Sequence, residues 1–288
     1  MATDAPRLPP ELERDIFELS ARNSARMRYR LLFISRRVLE WIEPILYDTL
    51  IFQPTDMRMR DPETGARAPH ASTVTSARPP EFLIRYVRHI VMDSSAGAIE
   101  APGIYTDITH VAIAQSSHNP RLAQLLLALR NVRVAVFYPT VFENRCTEPL
   151  SFDRLTHLTL LKPVTALFEF CSQMPALTHL AIHLHAYHWS PETLVYQPLL
   201  DRRQPPLELL VLIDFTTWSI NDAAEWIAPR TRDDRVVLTW WERFYESVVD
   251  YPGEGSFWDV AERFVREKRA GARAETELVA ARGPLLAE

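Results

Sequence analysis

Histidine is the residue through which this sequence offers chemistry. His157 and His179 stand in near-copies of one idiom, Leu155-Thr-His-Leu158-Thr-Leu160 and Leu177-Thr-His-Leu180-Ala-Ile182. Val87-Arg-His-Ile90-Val-Met92, Leu129-Arg-Asn-Val132-Arg-Val134 and Leu207-Glu-Leu-Leu210-Val-Leu212 fit the same apolar-x-x-apolar-x-apolar frame. In a strand, the side chains flanking the inward apolar positions project onto one face, and neighbouring strands lie roughly 4.8 Å apart. The frame therefore aligns His89, Asn131, His157 and His179, with His183 and His185 further along that face. Histidines at i and i+2 of a strand, or opposite one another on adjacent strands, have the spacing to bind zinc. No carboxylate stands out to complete such a set, and no metal site is assigned. His89, His157, His179, His183 and His185 are read instead as a face that recognises a protein partner, the alternative being a plain solvated surface.

Other reactive groups lead away from catalysis. The sequence has no Gly-x-Ser-x-Gly elbow, no His-Glu-x-x-His, no Gly-x-Gly-x-x-Gly and no Walker loop. Seven glycines leave little material for loops that cradle phosphate. Cys171 falls in an apolar helical stretch, where a buried structural thiol is expected, and Cys146 lies in a polar segment beside Arg145. Asp233 and Asp234 read as a solvated pair in a turn. The chain is expected to be no enzyme and to need no cofactor.

A strand and a helix recurring every 20 to 30 residues would position that histidine face. The strand idioms are separated by helical stretches such as Arg121 to Leu129 and Val164 to Cys171, the signature of an irregular leucine-rich-repeat-like solenoid. Pro163, His185 and Phe215 occupy the position where regular repeats carry a ladder of asparagines, so another hydrogen-bond ladder must replace it. Residues 104–115 fit strand or helix, with helix preferred. Ahead of the repeats, Leu12, Ile16 and Leu19 share one helical face, and Leu31, Ile34, Val38 and Ile42 share another. Pro44 suits the first turn of a third helix, Ile45 to Leu50. Residues 53–82 carry five prolines and no apolar period, as a linker or mobile loop does.

The C-terminal part closes the array. Ser256-x-x-Asp259 is a capping box, followed by Phe257, Val260, Ala261 and Phe264 on one helical face, with Gly271 as the stop. Trp240, Trp241, Phe244 and Tyr245 are expected to cover the edge of the last repeat, and the tail after Gly271 to be poorly ordered. The fold class is thus α/β in four parts: a three-helix module (1–52), the Pro-rich segment (53–82), the irregular repeat domain (83–240), and a cap helix with its tail (241–288).

Composition agrees with a globular chain of 288 residues, 47% hydrophobic and 24% charged. A formal charge of −5 gives no general attraction for nucleic acid, and no apolar run is long enough to span a membrane. Two cysteines and an N-terminus without an apolar leader fit a cytoplasmic or nuclear protein.

The N-terminal residues resemble a known module. Leu8-Pro9-Pro10-Glu11-Leu12, then Ile16-Phe17 and Leu19, then Leu31-Leu32-Phe33-Ile34-Ser35-Arg36 resemble the F-box. Trp41-Ile-Glu-Pro-Ile-Leu-Tyr47 and Gly255-Ser-Phe-Trp-Asp-Val-Ala-Glu-Arg-Phe264 are similar to stretches of a large mushroom-type fungal family of F-box and leucine-rich-repeat proteins. The resemblance implies a substrate-recognition adaptor of a cullin–RING ubiquitin ligase. Leu8, Pro9, Leu12, Ile16 and Ile34 would then face its SKP-type adaptor, while the repeat face selects a protein substrate. The alternative is a non-catalytic interaction scaffold in which the helical module only caps the repeats.

Overall fold

In the computed structural model the repeat idiom becomes a run of parallel strands. The structure describes residues 8–23, 25–52, 78–92, 107–113, 129–138, 152–162, 167–184, 197–203, 205–214, 224–225, 227, 231, 233–240, 256–274 and 277–280. Its strands are β1 (Thr49–Phe52), β2 (His89–Met92), β3 (His110–Ile113), β4 (Val134–Phe137), β5 (His157–Leu160), β6 (His179–Leu184), β7 (Leu209–Asp214) and β8 (Val236–Trp240). They form one parallel sheet in chain order, so each strand bonds only to its sequence neighbours, as in a solenoid. The molecule is a mixed α/β protein built on this solenoid-like sheet.

One face of the sheet carries the main core. Ile90 and Met92, Val111 and Ile113, Leu158 and Leu160, and Leu180 and Ile182 alternate into it, as a two-residue period requires. Against them pack Leu83 of helix α4 (Pro80–Tyr86), Leu167 and Cys171 of α5 (Leu167–Ser172), and Leu199 and Leu200 of α6 (Gln197–Leu200). The missing asparagine ladder has a backbone substitute where the strands start. The carbonyls of Asp48, Arg88, Thr109, Arg133, Thr156 and Thr178 each accept two N–H groups from the next repeat. Arginines tie the outer turns together: Arg202 donates to the carbonyls of Cys171 and Met174, closing the C-terminal end of α5. Arg235 donates to Leu200 and Leu207 carbonyls while pairing with Asp233 at 2.6 Å. Asp233 and Asp234 are therefore not a solvated pair: Asp234 receives Arg269 at 2.6 Å.

The N-terminal part holds three helices, α1 (Pro10–Asn23), α2 (Ala25–Leu31) and α3 (Arg36–Leu46). Ala21, Leu31, Val38 and Ile42 are buried between them, with Phe17 and Trp41 against this small core. The single helix expected through Leu31 and Ile42 is broken at residues 32–35, where the Ser35 hydroxyl accepts from Val38 N–H and restarts the chain as α3. Pro44 lies inside α3 and starts no new helix. The helix expected at Ile45 to Leu50 is absent, because Leu50 and Phe52 belong to β1 and enter the main core.

Three further expectations change. The preference for helix at 104–115 is overturned, since Ile108-Thr-His-Val111-Ala-Ile113 is a further copy of the strand idiom and forms β3. The Pro-rich segment lies outside the described residues as far as 77, and α4 begins at Pro80, inside the span 53–82 expected to lack structure. Residues 277–280 return to the sheet as a parallel bridge, Leu238 to Val279, with Leu278 and Ala280 buried. The stop at Gly271 holds: it has φ 70, and the N–H groups of Gly271 and Ala272 close on the carbonyls of Lys268 and Glu267. The helix expected at 121–128 and the residues Trp241, Phe244, Tyr245 and Cys146 lie outside the described residues.

The final helix, α7 (Phe257–Arg269), does more than close the array. Its N-terminus is the expected capping box of Ser256 and Asp259. From there Phe257, Trp258, Ala261, Phe264 and Val265 pack on Ala181, Leu209, Val211, Ile213 and Val237, which point away from the main core. α7 thus lies across the second face of the sheet over its C-terminal strands.

Candidate functional site

That second face carries the histidine row. Parallel register places Thr49, His89, His110, Val134, His157, His179 and Leu209 side by side. Asn131 is not in the row. It precedes β4, where its side chain accepts from Arg154 at 2.8 Å, because the apolar frame also matches Val132, Ala135 and Phe137, three residues later. His110 takes a place in the row through the additional Ile-Thr-His idiom. The rings of His89 and His110 meet edge to face at 4.3 Å, and those of His157 and His179 stack at 4.2 Å.

The expectation of an exposed row is corrected. His179 and His183 are buried, His157 and His89 are mostly covered, and His185 lies outside the described residues. For His157 and His179 the cover is Trp258, whose indole stands edge-on to both rings at centroid distances of 5.2 and 5.9 Å. Burial first, and Arg88 second, push the His89 imidazole down to about 4, although Asp48 Oδ2 lies 3.4 Å from its Nδ1. Burial likewise holds His157 at about 4, with the neighbouring His179 acting the same way, and lowers His179 against the opposing pull of Glu262. These rings are neutral at physiological pH.

The residue preceding each ring fixes its orientation. Thr156 Oγ1 lies 2.8 Å from His157 Nδ1 and donates to the Arg133 carbonyl at 3.1 Å. Thr178 Oγ1 lies 2.8 Å from His179 Nδ1 and donates to the Thr156 carbonyl at 3.4 Å. Thr109 and His110 repeat the arrangement at 2.9 and 3.4 Å. Each hydroxyl is able to accept from Nδ1–H, and in that tautomer the free lone pair of each ring lies on Nε2.

A carboxylate meets that lone pair. Glu262, one turn beyond Trp258 on α7, places Oε1 3.4 Å from His179 Nε2. One ligand atom from each of His157, His179 and Glu262 lies within 4.8 Å of the others, the one such group of three among the described residues. Sequence spacing had no means of finding Glu262 or Trp258, which come from the far side of the fold. His110 was legible, since its idiom repeats that of His179 residue for residue in type.

The other expected sites divide cleanly. Leu8, Leu12, Ile16 and Ile34 are exposed, at 54%, 51%, 51% and 57%, as is Pro9. Leu19 and Phe33, at 60% and 88%, are exposed as well. α1 therefore has two apolar faces, Phe17 and Ala21 turned inward and Leu12, Ile16 and Leu19 turned to solvent. Cys171 is fully buried, its thiol pushed up to about 12 by that burial, which suits a structural residue. No helix among the described residues is long and apolar enough to cross a membrane. Set against protein-family models, curated proteins and solved structures, the chain matches none.

Proposed function

We propose that the chain is an F-box-like adaptor, its helical module docking an SKP-type protein of a cullin–RING ubiquitin ligase and its leucine-rich-repeat-like body serving the substrate side. The observation that carries this reading is the row of exposed apolar side chains along α1, Leu12, Ile16 and Leu19, with Leu8, Phe33 and Ile34 exposed on the same module. An apolar row at helical spacing, unburied within the chain, is what a partner helix covers in groove-type recognition. The module's inner core of Ala21, Leu31, Val38 and Ile42 is complete without these residues, so they are available to a second protein. Substrate selection in this reading does not use His157 and His179, which α7 covers.

A direct binding measurement between the purified full chain and an SKP-type adaptor tests it. Wild type should bind at micromolar concentration or below. Ile16→Asp should abolish binding, because a carboxylate desolvated without a partner costs several kcal/mol, while its stability stays within about 0.5 kcal/mol at this exposed site. No binding of the wild type at about 10 μM would reject the adaptor reading.

One observation favours the scaffold reading in which the module is a cap. α3 runs into β1 across Tyr47 and Asp48, and Tyr47 packs against the main core. Arg78, just before α4, pairs with Glu43 of α3 and lies over the rings of Tyr47 and Phe82. A stable module that never binds the adaptor, yet whose removal aggregates the sheet, would select this reading.

A further inference from the structure

We propose that His157, His179 and Glu262 form a zinc site that ties α7 to the sheet. Two independent arrangements converge there. From the sheet side, both imidazoles are held by threonine hydroxyls on Nδ1, which leaves Nε2 as the ring nitrogen to meet a ligand. Metal-binding histidines are oriented in this way, with the second ring nitrogen donating to a fixed acceptor. From the helix side, Glu262 presents a carboxylate oxygen to the same spot.

His179 Nε2 and Glu262 Oε1 face each other at 3.4 Å, longer than an N–H···O hydrogen bond and equal to a ligand–ligand edge of a zinc site. Asp259 and Arg266, both close by, are already engaged. Asp259 Oδ2 accepts from the Ser256 N–H and hydroxyl at 2.7 and 3.0 Å, and Arg266, at 3.5 Å, reaches only the second oxygen of Glu262.

Distances favour zinc. Ligand bonds of about 2.0–2.2 Å give a tetrahedron with edges of about 3.3–3.5 Å, which the histidine–carboxylate separation already matches. The stacked rings, centroids 4.2 Å apart, need only pivot so that their Nε2 atoms converge by at most about 1.5 Å. Two imidazoles exclude calcium and magnesium, which take oxygen ligands. A water fills the fourth position, as in other sites with three protein ligands. Trp258 shields the flank of both rings, and Glu262, 37% exposed at its side chain, marks the side from which the ion enters. This inference stands whether or not the module binds an adaptor.

The test uses the full chain, stripped with chelator and titrated with zinc chloride, with bound metal counted by elemental analysis after desalting. One zinc per chain should be retained, with Kd below about 10 μM and a rise in Tm. His157→Ala and Glu262→Gln should each weaken binding at least tenfold. Thr156→Val, which touches only the orienting hydroxyl, should weaken it about tenfold. His89→Ala, outside the site, should bind as wild type does. Glu262→Gln is close to isosteric at a partly exposed position, so it decides the matter even if His157→Ala fails to fold. Zinc uptake equal in wild type and Glu262→Gln, or no uptake with Kd below about 10 μM, would overturn the proposal.

Discussion

Replacing Trp258 by alanine tests the central feature of the fold, the seating of α7 on the second face of the sheet. Trp258 is 5% exposed and lies edge-on to His157 and His179 while touching Phe257 at 4.4 Å. A buried indole removes about 150–250 Å² from water, or about 4–6 kcal/mol at 25 cal/mol per Å². Alanine keeps about 1 kcal/mol of that. The edge-on ring contacts and the cavity add to the loss, and relaxation of the helix subtracts from it. The expected loss is about 3–5 kcal/mol, the usual range for truncating a buried Trp. Urea unfolding of the full chain, followed by circular dichroism, measures it, and amide exchange locates it. Protection should fall in residues 257–269 and in β5 to β8 before it falls in β2. Trp258→Phe should lose less than half as much, because the buried Nε1–H it removes has no hydrogen-bond partner. A loss below about 1 kcal/mol for Trp258→Ala would show that α7 does not cover the histidine row.

Acid should weaken the fold through the row as well. His89 has a folded value of about 4 against 6.5 in the unfolded chain, so its contribution is full above pH 6.5 and is lost as pH falls toward 4. Between pH 7.5 and 4.5 this is on the order of 2–3 kcal/mol, and His89→Phe should remove that part of the pH dependence in urea midpoints. Burial alone would raise the Asp233 carboxyl, but its hydrogen bonds from Arg235 win and hold it low. Arg235→Met should therefore cost about 2–4 kcal/mol in urea unfolding, since it removes two donors from two carbonyls and the side-chain partner of Asp233, which keeps only the residue-235 backbone N–H from this arginine. A loss under 1 kcal/mol would show those bonds to be incidental. Gly271→Ala meets no atom within 4 Å, yet φ 70 should cost about 1 kcal/mol in Tm-derived stability; an unchanged Tm would refute the strain.

The strands were legible because their idiom is short and repeated. Leu158 with Leu160 and Leu180 with Ile182 mark two strands, and three other frames could be tested against them. The same economy produced the errors. At Leu129 the frame fits twice, and burial of Ala135 and Phe137 chooses the later register. At Ile108 the copy is intact and Pro102-Gly103 and Asn119-Pro120 bracket it, so the strand was legible there and the preference for helix went against the signal. In α1, apolar spacing locates the helix and not its inward face: Phe17 and Ala21 fill the core while Leu12 and Ile16 do not. The site was the least legible. Periodicity says that Phe257, Ala261 and Phe264 face something, but the identity of that surface is a tertiary fact. Glu262 therefore read as one more polar residue on a helix.

The placement of α7 also has a consequence for synthesis. Strands of a solenoid pair with the strand just made, so each can fold soon after it leaves the ribosome. α7 breaks this order, for it covers His157 and His179 from a segment made about seventy residues after β6 ends at Leu184. At 5–20 residues per second that interval is roughly 4–15 s. Until α7 is made, Ala181, Val211 and the stacked imidazoles lack the lid that covers them in the folded chain.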